Sequence, residues 1–247
     1  MKKWILIAFL LATSKCYGIG LGVELTTHTF VGNTGVGTAL VTPPVNSLGS
    51  TFCVAEITAN FPSTPVMGDS YANVWTSTAA TANISANQIT QLYYSSNPVT
   101  GPNHMFTAGL TGGVSIFGSM AVACFAGVLT TYTPFDVWNS TVATINTLNQ
   151  NTNSITPTSN NDLIITALGY NNASLPVSIN AGFLVTDSVE FNASNFGSGL
   201  AYFVQPTAAA INPTWTKSGS AGQMSTSIAS FKAAPFITNV PRSVIIK

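Results

Sequence analysis

Two histidines and seven carboxylates are the groups from which this 247-residue chain could build a His-dependent nucleophile or an acid pair. Nucleophilic catalysis needs a Ser or Cys within reach of a His that an acid holds in place. His28 lies in the polar run Thr26-Thr27-His28-Thr29, and His104 follows a Gly101-Pro102-Asn103 turn, so both read as solvated or locally bonded side chains. A glycoside hydrolase needs two carboxyl groups about 5 to 9.5 Å apart. The seven acids are Glu24, Glu56, Asp69, Asp136, Asp162, Asp187 and Glu190, and none stands in a catalytic motif. Asp69, Asp136 and Asp162 flank Ser, Asn or Pro at expected strand ends, where aspartate caps turns by accepting from backbone amides. Glu56 sits inside the apolar run Ala55-Glu56-Ile57, and strand alternation points it to solvent. No catalytic residue is assigned.

Zinc is disfavoured because neither histidine has a partner at ligand spacing. The only cofactor suggested is a structural calcium, with Asp69, Asn73 and Asp136 as weak oxygen ligands outside any consensus Asp-rich loop. Sugar recognition needs exposed rings beside amides and hydroxyls. The available rings are Tyr71, Trp75, Tyr93, Tyr94, Trp138 and Trp215, most of which should be packed as ordinary strand and core formers, and Trp75 and Trp138, both next to polar turns, with Tyr71, are the candidate ligand-binding residues.

The elements that must position these residues are short strands. β-Branched and aromatic runs are bounded by Gly, Pro, Asn and Ser clusters. Strands are expected at 50–59, 88–95, 114–126, 163–168 and 225–231, and weaker ones at 23–31, 73–76, 105–110, 181–186 and 200–205. No twelve-residue stretch carries a capped apolar stripe at helical spacing. The fold class expected is all-β: a two-sheet antiparallel sandwich, jelly-roll-like, with little helix. Its core includes Phe52, Val54, Ile57, Leu92, Ile116, Val122, Leu163, Ile165, Phe183, Phe203, Ile228 and Phe231. The polar stretch 149–161, with Pro157 inside it, reads as a long crossover. Cys53 and Cys124 each lie in an apolar run, and they are either a disulfide closing a long loop or two separately buried thiols.

Lys2 and Lys3, the apolar run Trp4 to Ala12 and small Gly18 read as a signal peptide over 1–18. The run is too short to span a bilayer, and Lys15 before Cys16 argues against lipidation. The expected organisation is then one sandwich over 19–233 and a tail over 234–247, with no transmembrane segment once the signal is removed. Without Lys2, Lys3 and Lys15 the seven basic residues fall to four against seven acidic ones. Those four are scattered over the last 31 residues, which argues against a nucleic-acid partner. Solubility at so low a charge density must come from hydroxyls and amides, as in secreted β-proteins. Asn-x-Ser/Thr sequons occur at Asn83, Asn139, Asn172 and Asn192.

Several motifs then combine in order. They are Gly49-Ser50-Thr51-Phe52-Cys53-Val54-Ala55, Met67-Gly68-Asp69-Ser70-Tyr71-Ala72-Asn73-Val74-Trp75 and Leu92-Tyr93-Tyr94-Ser95-Ser96-Asn97. Val122 to Val128 with Thr133-Pro134-Phe135-Asp136, Asn161 to Ile165, and Ile228 to Lys232 complete the set. Over residues 31–233 the chain resembles a β-sandwich domain of exported proteins of environmental bacteria and of structural proteins of their tailed phages. Ala72 stands where that group has Gly, and Cys124 or its neighbour where it has an acid. The resemblance implies a jelly-roll or immunoglobulin-like fold and brings no catalytic constellation. The function expected is that of an exported, non-enzymatic adhesion or structural module, on a virion if phage-encoded. A cell-surface glycan or protein is the expected partner, in a secreted, periplasmic or cell-surface setting. The alternatives are a carbohydrate-binding module and a glycoside hydrolase with an unrecognised acid pair.

Overall fold

The computed structural model describes residues 22–32, 37–78, 81–83, 87–114, 116–172, 176–192 and 195–235. The expected signal peptide lies outside them, as does the tail beyond Pro235. Strands in the first half are β1 (Glu24–Gly32), β2 (Ala39–Val41), β3 (Phe52–Asn60), β4 (Pro65–Asp69), β5 (Thr76–Ser77), β6 (Thr81–Asn83), β7 (Gln88–Ser96), β8 (Phe106–Leu110) and β9 (Gly118–Ala126). The second half supplies β10 (Phe135–Val142), β11 (Asn149–Asn151), β12 (Asp162–Tyr170), β13 (Val177–Ile179), β14 (Leu184–Val189), β15 (Gly197–Gln205), β16 (Thr214–Lys217) and β17 (Met224–Phe231). A single 3-10 turn at Thr111–Gly113 is the only helical element among the described residues. The all-β antiparallel expectation holds. Periodicity located β3, β7, β12 and β17 well, but placed the start of β9 early, put a strand at 73–76 where only Thr76 belongs to one, and missed β2, β4, β6, β10, β11, β13 and β16.

Two large sheets form the centre. One runs β1-β9-β3-β7-β5, with β6 also on β7, and the other runs β10-β17-β12-β15-β14. Each carries a three-stranded outer sheet, β2-β8-β4 on the first and β11-β16-β13 on the second. The two halves therefore share one topology, strand for strand, apart from the extra β6. The sequence keeps traces of this duplication. Ser119, Ala123 and Phe125 in β9 recur as Ser225, Ala229 and Phe231 in β17, and Asn60, Pro65 and Val66 recur as Asn171, Pro176 and Val177. The polar stretch 149–161 contains β11 and links it to β12 inside the second copy, and the copies join through residues 127–134.

The large sheets pack face to face through Phe52, Val54, Leu92, Ala123, Phe125, Leu163, Ile165, Leu200, Ala229 and Phe231. A second core fills the space between the first large sheet and β2-β8-β4, around Ile57, Phe106 and Met120. A third lies under β11-β16-β13, around Ile164, Leu168, Trp215 and Ile228. The protein is thus four sheets deep. Its central strands have no solvent face, and β3, β9, β12 and β17 are buried almost end to end. Glu56, expected to face solvent, is fully buried between the large sheets for this reason. Of the expected core residues only Phe203 stays half-exposed.

Cys53 and Cys124 stand opposite each other in the β3–β9 ladder and form a disulfide. That settles the choice between a bond and two separate thiols.

Candidate functional site

Three clusters bring titratable groups together. The first joins Ser47, His104 and Asp69. Ser47 Oγ lies 2.8 Å from His104 Nδ1, and Asp69 Oδ1 lies 3.6 Å from Nε2, so serine and acid flank opposite ring nitrogens. This has the connectivity of a catalytic triad, but it is sealed. Ser47 and His104 are both fully buried. The Ser47 hydroxyl also donates to Gly101 O and accepts from Gly101 N, which ties the 99–104 loop to the 45–50 segment. Asp69 is committed too: Oδ1 accepts from the backbone amides of Tyr71 and Asn73, and Oδ2 from the Trp75 indole at 2.7 Å. Burial pushes the His104 pKa down, although the Asp69 charge opposes the shift, so the ring is neutral near pH 7.

Two of the ligand candidates, both half-buried, are tied into this cluster. The Trp75 indole N–H donates to Asp69 and its ring meets Phe106 edge-on. Tyr71 donates its hydroxyl to Pro102 O and sets its ring edge-on to His104, with that hydroxyl close over Gly101, where an added Cβ would have to push it aside. Trp138, on edge strand β10, keeps 37% exposure. The calcium candidates do not assemble. Asp69 is filled by chain donors, Asn73 bonds both backbone groups of Val99's segment through Val99 N and O, and Asp136 belongs to the other copy. Among the described residues no group of three or more His, Cys, Asp or Glu is placed to hold a metal ion.

The second cluster is Asp136, Asp162 and Lys232. Burial raises Asp136, but the N–H and hydroxyl of Thr158 and the Lys232 charge outweigh it and hold the carboxyl below its usual range. Asp162 is raised by burial, against a hydrogen bond from Ser230, and is fully enclosed. Two acids with opposed shifts resemble an acid–base pair. Both oxygens of Asp136 are occupied by Thr158, 22 residues along the chain, and Asp162 is enclosed. Glu56 is remote from this pair in topology, lying in β3 of the other copy.

The third cluster joins the copies. His28 on β1 lies 3.0 and 3.1 Å from the two carboxylate oxygens of Asp187 on β14. A bulge between Val185 and Asp187 turns the acid inward. Burial raises the Asp187 pKa, and the bond and charge of His28 work against that rise. Half of the imidazole stays exposed, and among the described residues no hydroxyl or thiol bonds it.

Beside this pair the edges of the two large sheets lie together, and an open cleft of about 720 Å³ follows them. Val23, Leu25, Leu184, Tyr202, Phe203 and Val204 supply an apolar lining with Glu24 at the margin. Leu184 is 59% exposed, and Phe30 and Val185 extend the apolar surface along the same edges. Neither β1 nor β14 pairs on its outer side among the described residues. Periodicity could not find this surface, because it exists only where the two copies meet. No helix among the described residues is long and apolar enough to cross a membrane. Comparison with family models, curated proteins and solved structures returns no match to this chain.

Proposed function

We propose that this protein is an exported, non-enzymatic β-sandwich that acts by surface contact, as an adhesion or structural module. The observation that carries the reading is the apolar cleft along the β1 and β14 edges. Exposed apolar area of this kind, rimmed by polar residues, favours contact with another macromolecule, and two free strand edges add main-chain donors and acceptors. The Cys53–Cys124 disulfide and the scarcity of charge fit a protein of an oxidising, extracytoplasmic setting. Sealing of the Ser47–His104–Asp69 cluster supports the non-enzymatic part. A phage-encoded origin would make the module a virion or host-recognition component.

The test is adhesion of the labelled protein to intact cells and to purified cell-surface fractions. Leu184→Lys should reduce binding at least tenfold with an unchanged melting temperature, because it places charge in the cleft without touching the core. Equal binding by wild type and Leu184→Lys would remove the cleft from the mechanism. Labelling of Ser47 by a fluorophosphonate probe would overturn the non-enzymatic reading.

A further inference from the structure

A second, smaller cavity lies at another junction of the two copies, away from the apolar cleft. It measures about 360 Å³ and is lined by Asn87, Phe117, Asn171, Asn172, Phe191, Asn192, Asn195 and Phe196. Five amides and three aromatic rings make the wall, and among the described residues no charged side chain lines it. Each copy contributes: Asn87 and Phe117 precede β7 and β9, and the others follow β12 or β14.

Three of the amides are held in fixed orientations. Asn171 Oδ1 accepts from Gln223 N at 2.7 Å, which leaves the Asn171 amide N–H groups as its donors. Asn172 Nδ2 donates to Ala221 O at 2.9 Å, leaving its oxygen as an acceptor. Asn195 Nδ2 donates to both Glu190 O and Phe196 O, and its buried Oδ1 has no partner. Behind the wall the buried Lys217 ammonium donates to Asn171 O at 3.0 Å and stiffens that turn. Asn87 and Asn172 adopt positive φ, a conformation Asn tolerates better than most residues.

We infer that this Asn- and Phe-lined cavity is a binding site for a neutral saccharide ring. The volume fits one such ring. Fixed amides supply both donors and acceptors for ring hydroxyls, and Phe117, 40% exposed, offers a face for the C–H side of the sugar. The absence of charge in the lining disfavours sialylated, sulfated or phosphorylated ligands. The site differs from the aromatic platforms Trp75, Trp138 and Tyr71 and does not depend on the apolar cleft.

The experiment is an array of neutral and charged glycans probed with the intact disulfide-bonded protein, followed by titration with the methyl glycosides of glucose, galactose, mannose and N-acetylglucosamine. Binding to neutral glycans is expected. Phe117→Ala and Asn172→Gly should each weaken it about tenfold, equivalent to about 1.4 kcal/mol. Leu184→Lys should leave it unchanged, which separates this site from the adhesion cleft. Amide side-chain NMR signals of Asn87, Asn172 and Asn195 should shift on titration in the wild type, giving a readout that needs no variant. Failure to bind any neutral glycan, binding of charged glycans alone, or shifts confined to residues around Trp138 would overturn the inference.

Discussion

Replacing Glu56 by Gln tests the four-layer arrangement most directly. Glu56 lies in the inter-sheet polar row Glu56, Thr58, Thr90, Ser225 and Gln88. Thr58 donates to Glu56 Oε1, Thr58 and Thr90 hydroxyls are 3.0 Å apart, and Ser225 Oγ is 2.6 Å from both Thr90 Oγ1 and Gln88 Nε2. Burial pushes the Glu56 pKa up to about 8, and the hydrogen bonds to its carboxylate only partly offset this. The unfolded chain titrates near 4.5, so between those pH values the native state holds a proton that the unfolded state has lost. Stability therefore falls as pH rises, by about 1.4 kcal/mol per pH unit in that window, and levels off above about 8. At pH 7 the accumulated loss is on the order of 3 kcal/mol. Glu56→Gln, which cannot ionise, should match wild type near pH 4.5 and exceed it progressively as pH rises. Urea unfolding of both proteins at several pH values between 4.5 and 9 reads this, and the difference between them cancels contributions from the other acids. A difference independent of pH would refute burial of an ionisable Glu56 between the sheets.

The remaining predictions concern other parts of the same construction. Ser47→Ala strips partners from His104 and Gly101 in a buried cluster and should cost about 1–3 kcal/mol in urea unfolding. Gly169→Ala should destabilise by a similar amount, since the new methyl would land on the Thr90 hydroxyl and Gln88 amide and within 2.5 Å of Thr58 Oγ1; a melting temperature equal to wild type would show that the sheets are less closely packed there. The double variant Cys53→Ala/Cys124→Ala opens a cross-link spanning 71 residues and should lose about 4 kcal/mol, measured by urea unfolding against the oxidised wild type.

The fold class and the central strands were legible in composition and periodicity. Short β-branched and aromatic runs punctuated by Gly, Pro and Asn have few ways to bury apolar area except in antiparallel layers, and β3, β7, β12 and β17 appear close to where periodicity puts them. Two cysteines in apolar runs were legible as a candidate pair, yet only the β3–β9 register, which sets Cys53 opposite Cys124, made them a bond. The turn-capping role of Asp69 was legible as well, because its Oδ1 accepts from the amides of Tyr71 and Asn73 just along the chain, whereas Asp136 and Asp162, expected to do the same, bond Thr158 and Ser230 from distant segments.

Tertiary structure decided everything that depends on what lies across a sheet. Alternation states which residues share a face but not what covers it. Glu56 was therefore read as solvated, when a second large sheet covers its face. Trp75 and Tyr71 sat next to polar turns and read as exposed, yet those turns fold onto His104 and Asp69. The apolar cleft and the asparagine-lined cavity arise where two copies of one topology meet, from residues up to 181 positions apart in the case of Val23 and Val204. Such surfaces have no local signature, because the free energy that builds them comes from burial between distant segments and not from any preference of the segments themselves.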